Sequence, residues 1–220
     1  MPPPRNLARR QALTDAAIEI LGTAGIHELS HRAVDRYAGV PAGTASNYFR
    51  SRDELLAAAA HRVLEVHAQD MCEEAEGAGG DAAQSGAPDE PDPERLAHML
   101  GAALYRAVTR RRIRALAVYE LTLEATRRPA LAQAMAQLGT AGAQAALGGP
   151  GAHGLPATPE QARALMTLVG GALLSLATVP AEELTAQCAL DLARCIVAGV
   201  LAALPAPRAE VGAAAAGTGQ

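Results

Sequence analysis

Residues 29–55 read LSHRAVDRYAGVPAGTASNYFRSRDEL, and the fold turns on how they are read. Ser30 stands where an N-cap would open a short helix that carries Val34, Tyr37 and Ala38 inward. Gly39-Val40-Pro41 is a turn, and Pro41 suits the first position of the next helix, where its missing N–H costs nothing. That helix is expected over residues 42–49. Ser51-Arg52-Asp53-Glu54 has the form of a capping box for a long helix over residues 52–74. Two short helices joined by a tight glycine-containing turn make a helix-turn-helix, a unit whose second helix enters the major groove of DNA. Here the second helix is small and polar. Thr44, Ser46, Asn47 and Tyr48 supply hydrogen-bonding groups, Ala42 and Gly43 let the backbone come close, and Phe49 on the opposite side would anchor it.

Helical patterning continues in both directions. Upstream, Leu13, Ala17, Ile20, Leu21 and Ala24 share one face of a helix expected over residues 6–24, ended by Gly22 and Gly25. Downstream, residues 73–93 (EEAEGAGGDAAQSGAPDEPDP) are acidic and glycine-rich, a composition that buries too little to offset its ordering. Asp92-Pro93 then starts a helix to about residue 111, and further helices are expected over residues 113–127, 131–147, 158–178 and 181–204. Residues 205–220 form a low-complexity tail. The expectation is an all-α protein of about nine helices. Its divisions would be a helix-turn-helix domain over 1–52, a connecting helix over 53–72, an acidic linker over 73–93, a helical ligand-binding and dimerisation domain over 94–204, and a disordered tail over 205–220.

Composition agrees. Half the residues are hydrophobic but only 2% are aromatic, so Ala, Leu and Val must fill the core, and Ala and Leu favour helix. The net charge of −4 hides a split. Residues 73–93 hold seven acids and no base, and the rest of the chain carries 19 bases against 16 acids. Residues 1–52 carry seven Arg against four acids, and the local charge decides whether a face attracts phosphate. Every basic residue is Arg, a usage that a GC-rich genome explains without appeal to DNA binding. The N-terminus has no signal-peptide core, and the longest apolar run, near residues 164–179, is short of the roughly 20 residues a membrane span needs. These features imply a soluble cytoplasmic protein with no membrane partner. The three cysteines, Cys72, Cys188 and Cys195, match neither a metal knuckle nor an even disulfide framework, and no metal or cofactor is expected.

The run GVPAGTASNYFRSRDELL over residues 39–56 resembles the signature of the tetracycline-repressor (TetR) family, Gly-Val-x-x-Gly-Thr-Leu-Tyr-Tyr-x-Phe-x-Ser-Lys-x-x-Leu. The matching residues are Gly39, Val40, Gly43, Thr44, Phe49, Ser51 and Leu55, with Arg52 in place of the lysine. The match is close over about residues 7–70. Where the family has Leu-Tyr-Tyr this chain has Ala45-Ser46-Asn47, so two tyrosines are lost and Asn47 is offered instead, a side chain able to pair bidentately with adenine. The resemblance implies a homodimeric regulator bound to a double-stranded DNA operator and answering a small-molecule inducer. Carried over position by position, it implies Arg32 as a guanine contact, and Ala42, Gly43, Ser46 and Asn47 facing bases. His31, Thr44, Tyr48, Ser51 and Arg52 would hold phosphates. Arg5, Arg9 and Arg10 would form either a minor-groove arm or an ordinary solvated terminus, and Arg32 has a surface ion pair with Asp35 as its plainer alternative.

The same resemblance places an inducer among the C-terminal helices and the dimer contact on the last two. His98, Met99, Tyr105, Tyr119, Glu120, Thr122, Leu123, Glu124 and Met135 are the expected pocket lining, with the alternatives of core packing for the Tyr and Met side chains and of pairing with Arg127 or Arg128 for Glu124. Leu165, Leu168 and Ala172, with Leu184, Cys188, Leu192, Cys195, Ile196 and Gly199, form two apolar stripes suited to a four-helix dimer contact or to the chain's own core. Cys188 and Cys195 are expected as buried thiols. Arg110-Arg111-Arg112 with Arg114 reads as charge compensating a helix C-terminus. The chain has no HExxH, GxSxG, P-loop or strand-borne GxGxxG, so an enzyme is not expected. The remaining rival is a regulator acting as an activator, or an interaction module with no inducer.

Overall fold

The computed structural model describes residues 4–82, 92–148 and 159–203. Among these residues there are nine α-helices, one 3-10 turn and no strand. Helices α1 (Pro4–Ala24), α2 (His31–Tyr37) and α3 (Thr44–Tyr48) form the N-terminal unit, with the 3-10 turn Ile26–Glu28 between α1 and α2. The long α4 (Arg52–Ala82) leads out of it. Then follow α5 (Pro93–Thr109), α6 (Arg112–Ala125), α7 (Pro129–Gly148), α8 (Pro159–Thr178) and α9 (Ala186–Ala203).

The caps explain most of these boundaries. Ser30 Oγ accepts the Ala33 amide at 3.1 Å and starts α2. At its far end Gly39, at φ +64°, closes a Schellman turn: its amide donates to the Arg36 carbonyl and Val40 donates to the Asp35 carbonyl. Asp92 accepts from the amides of Glu94 and Arg95 at 3.0 and 3.1 Å, with Pro93 in the first turn of α5. Ser51 caps the Glu54 amide at 3.1 Å, while the Glu54 carboxylate reaches back to the Arg50 amide, one residue before the cap.

Burial organises the helices around two cores. The first joins Leu13, Ile20 and Leu21 of α1, Val34 of α2, Phe49, and Leu55 and Leu56 of α4, and takes in Ala117, Leu121, Leu131 and Ala134 of α6 and α7. Phe49, the chain's only phenylalanine, is 1% exposed, and the Arg10 guanidinium lies 4.7 Å from its ring centroid. The second core joins Leu104 and Val108 of α5, Leu176 of α8, and Ala189, Ala193, Ile196 and Val200 of α9. Small residues bring helices close. A Cβ on Gly101 of α5 would lie 2.8 Å from the Leu190 backbone of α9, and one on Gly22 of α1 would lie 2.0 Å from the Ile113 carbonyl oxygen of α6.

Several expected boundaries move. The third helix begins at Thr44 and not at residue 42. Pro41 sits in the turn, accepting the Thr44 amide, because Gly43 takes φ +87°, a left-handed conformation incompatible with continuing a helix. The helix α4 continues to Ala82, into the acidic stretch, and residues 83–91 lie outside the described residues. The last helix begins at Ala186, not at residue 181. Pro180 accepts the Glu183 amide in a turn, and Thr185 Oγ1 caps the Cys188 amide at 3.1 Å. The tail over residues 205–220 also lies outside the described residues. Tyr37, expected inward, is 55% exposed. Arg111, just beyond the α5 C-terminus, and Arg114, in the first turn of α6, both approach Asp70 of α4, Arg111 at 3.4 Å.

Candidate nucleic-acid interface

Asp35 determines the shape of the helix-turn-helix. It is 3% exposed, and its two carboxylate oxygens accept the Gly43 amide at 2.7 Å and the Ala45 amide at 2.6 Å. A buried carboxylate of α2 therefore satisfies two orphan donors at the start of α3 and complements the positive end of that short helix. Ala45 and Phe49 face the core, fully or nearly fully buried, which turns Ser46 and Asn47 to solvent. Pro41, Ala42 and Gly43 at the tip are exposed as well.

The other expected contact residues divide. Arg32 is exposed on α2 and makes no ion pair among the described residues. The alternative pairing with Asp35 is not formed, since that carboxylate is occupied by amides. Ser51 is exposed. Thr44 is half-buried and donates its hydroxyl to the Pro41 carbonyl at 2.5 Å. His31 Nε2 lies 2.8 Å from the Phe49 carbonyl oxygen, and Tyr48 packs its half-buried ring against the first core. Arg52 is turned inward. Its guanidinium donates to the carbonyls of Leu29 and Ile26, so the fork expected on phosphate is spent on the turn that precedes α2. Asp35 is the functional residue the sequence reading missed, because its partners lie across a turn and follow no local spacing rule. Arg9 and Arg10 are exposed, and Arg5 lies among residues whose side chains are not described.

The residues expected around an inducer have various partners among the described residues. Met135 packs on the first core. Tyr119 of α6 donates to the Gly170 carbonyl of α8 at 2.5 Å, and burial pushes its hydroxyl pKa up. Glu120 accepts the Ile26 amide at 2.9 Å. Glu124 pairs with Arg127 and Arg128, as one alternative had it, and the hydrogen bond from Arg128 holds its carboxyl below the usual range. Leu123, Thr122, Met99 and His98 are exposed. Of the set, only His98 and Tyr105 line one described cleft, of about 270 Å³ between α5 and α9, together with Gly101, Ala102, Arg106, Ala186 and Leu190. It is smaller than the roughly 300–1,000 Å³ of ordinary ligand pockets.

The two stripes on α8 and α9 also divide. Ala172 and Ile196 belong to the second core, and Leu165, Leu184 and Leu192 pack against it. Leu168 (45% exposed), Gly199, Cys188 and Cys195 face outward, beside Leu174 and Gly171. The thiols expected as buried are thus both exposed and free. Among the described residues no group of three or more His, Cys, Asp or Glu is placed to hold a metal, and no helix is long and apolar enough to cross a membrane.

An all-α chain that opens with a capped helix-turn-helix and continues into a helical second half has the architecture of a helix-turn-helix regulator. The chain belongs to the tetR family of bacterial regulatory proteins: that family's N-terminal description matches residues 13–59, and the tetracyclin repressor-like C-terminal domain matches residues 91–214. Its domains are those of transcription regulators. Among solved structures, the multidrug binding protein EbrR complexed with ethidium is 31% identical, with a TM-score of 0.59, over 86% of this chain and 97% of that one. A TetR-family member from Streptomyces coelicolor A3 is 29% identical, also at a TM-score of 0.59 over 86% and 97%. A transcriptional regulator from Rhodococcus sp. Rha1, 19% identical at a TM-score of 0.64 over 88% and 96%, shares the fold. Among curated proteins none matches the chain.

Proposed function

We propose that the chain is a cytoplasmic, homodimeric repressor that reads a pseudo-palindromic DNA operator with α3 and is released by a small organic molecule. The observation that carries this reading is the combination at α3. Its start is pinned by Asp35, its inner side is buried through Ala45 and Phe49, and its outer side presents Ser46 and Asn47. A helix held this rigidly and left polar outward suits a major groove about 12 Å wide. In this reading Asn47 and Ser46 face base edges with Ala42 and Gly43 at close approach, and exposed Arg32 takes a guanine. Ser51, Thr44, Tyr48 and His31 lie along phosphates, the last three with their positions already fixed by contacts within the chain. Arg52 is left out of the phosphate set because its guanidinium is engaged on two carbonyls.

The dimer would use the outward faces of α8 and α9, where Leu168, Gly171 and Leu174 of α8 and Cys188, Cys195 and Gly199 of α9 are exposed, and where a Cβ on Gly171 or Gly199 would meet nothing within 4 Å. Two such helices from each protomer make a four-helix contact. For the inducer, the relative complexed with ethidium supplies the chemical class to try first, and fluorescence titration of the DNA-free protein with ethidium tests it. The readout is tested by comparing Asn47→Ala with the wild type on selected and on random duplexes: a loss confined to the selected duplex supports base reading, and an equal loss on both removes Asn47 from it.

A further inference from the structure

The backbone of Ile26 is held at its N–H and at its carbonyl by ionic side chains of distant helices. Its N–H donates to Glu120 Oε2 of α6 at 2.9 Å, across 94 residues of chain. Its carbonyl accepts from Arg52 Nη2, the first residue of α4, at 2.5 Å, while the other arm of the same guanidinium reaches the Leu29 carbonyl. We propose that Glu120 and Arg52 are positioning residues that clamp the turn Ile26–Glu28 and so fix the orientation of α2 and α3 relative to the C-terminal helices.

Three observations support the clamp as a built feature. Gly25 adopts φ +82°, ψ 176°, a backbone that L side chains rarely adopt, and this turns the Ile26 amide toward α6. The same carboxylate lies directly beside Gly25: a Cβ there would rest in ordinary contact, 3.6 Å from Glu120 Oε1. Gly22, one turn earlier, brings α1 against the α6 backbone at Ile113, so the carboxylate is delivered at short range. Both grips are half-buried and charge-assisted, the stronger class of hydrogen bond. The clamp sits where it has leverage. Arg52 follows the helix-turn-helix directly, the turn precedes it directly, and between the turn and Arg52 lie all of α2 and α3. Apolar packing of α1 on α6 resists separation but is non-directional, whereas hydrogen bonds on the two successive peptides that flank the Ile26 Cα fix an angle.

The test uses the whole 220-residue chain and Glu120→Ala against Glu120→Gln, which keeps an acceptor oxygen in place. Nuclear magnetic resonance gives hydrogen exchange at the Ile26 amide and, from residual dipolar couplings, the orientation of α2–α3 against α6. Glu120→Ala is expected to speed Ile26 exchange at least ten-fold and to reorient α2–α3, and Glu120→Gln to restore most of both. Unchanged exchange, or faster exchange with unchanged orientation, overturns the proposal. Loss of both effects' rescue by Gln with native exchange elsewhere overturns it as well. These arms need no DNA. The inference rests on the regulator reading only for its consequence, a roughly ten-fold weaker binding of the selected duplex by Glu120→Ala. A wild-type chain that prefers no duplex counts against the regulator and leaves the clamp to the resonance data.

Discussion

The Asp35 carboxylate and the Ala45 amide meet at 2.6 Å inside the helix-turn-helix, so α3 is capped by its partner helix and not by its own N-cap residue, Gly43. Asp35→Ala removes two acceptors at once and strands the Gly43 and Ala45 amides. The expected cost is about 2–3 kcal/mol, a lost cap plus a buried unsatisfied donor. Urea unfolding measures it, and Asp35→Asn, which retains one acceptor, should recover part.

Two glycine-to-alanine changes in helices are expected to have opposite signs. Gly139 in α7 has open space around it, so Gly139→Ala should stabilise by about 0.5–1 kcal/mol. At Gly22 the added Cβ would lie 2.0 Å from a backbone carbonyl that cannot swing aside, and Gly22→Ala should destabilise by about 1–3 kcal/mol despite its better helix propensity. Thermal unfolding of the two variants side by side checks the α1–α6 contact.

Acid should weaken the fold partly through α6. Arg128 hydrogen-bonds Glu124 and holds its carboxyl below the usual range, and Arg194 does the same to Glu94. A carboxyl depressed in the folded state contributes stability above its unfolded value, about 4.3, and loses it as pH falls through the folded value. Urea midpoints should therefore drop on going below about pH 4.5. Glu124→Gln should lower the midpoint at pH 7 and flatten this dependence, without abolishing it while Glu94 remains. An unchanged slope would remove Glu124 from the account.

Association should depend on α8. Leu168 and Leu174 are each 45% exposed on the outward arc of that helix, with Gly171 between them. Leu168→Arg would place an unpaired charge in the proposed dimer contact and should yield monomers by sedimentation equilibrium with the helical circular dichroism retained. A dimer that survives the change would move the contact elsewhere.

What the sequence made legible follows from the range of the interactions involved. Ser30, Ser51 with Glu54, and Asp92 with Pro93 act within four residues, and each starts a helix where expected. Glu54 still reaches one residue further back than the capping-box pattern predicts. The start of α3 is not legible from Pro41, because the left-handed turn that Gly43 makes available delays the helix to Thr44. Partners across the fold were not legible. Helical spacing puts Glu120 and Glu124 on one face of α6 but does not say what that face meets: Glu120 takes the Ile26 amide and Glu124 takes Arg127 and Arg128. Arg52 matched a family position by type and yet points inward, a direction that only the carbonyls of Ile26 and Leu29 explain. The apolar stripes of α8 and α9 likewise mix residues of the chain's own core with outward ones, since small side chains such as Ala172 and Gly171 serve either face.

In the proposed function α3 reads DNA. Selection of duplexes from a random pool by the wild-type protein, followed by the affinity of the double variant Arg32→Ala, Asn47→Ala for the winner and for random duplex, tests it most directly. The prediction is a pseudo-palindrome with half-sites about 34–36 Å apart, and a loss of at least ten-fold on that sequence with little change on random DNA. A pool that stays unenriched, or a winner bound equally well by the double variant, would contradict it.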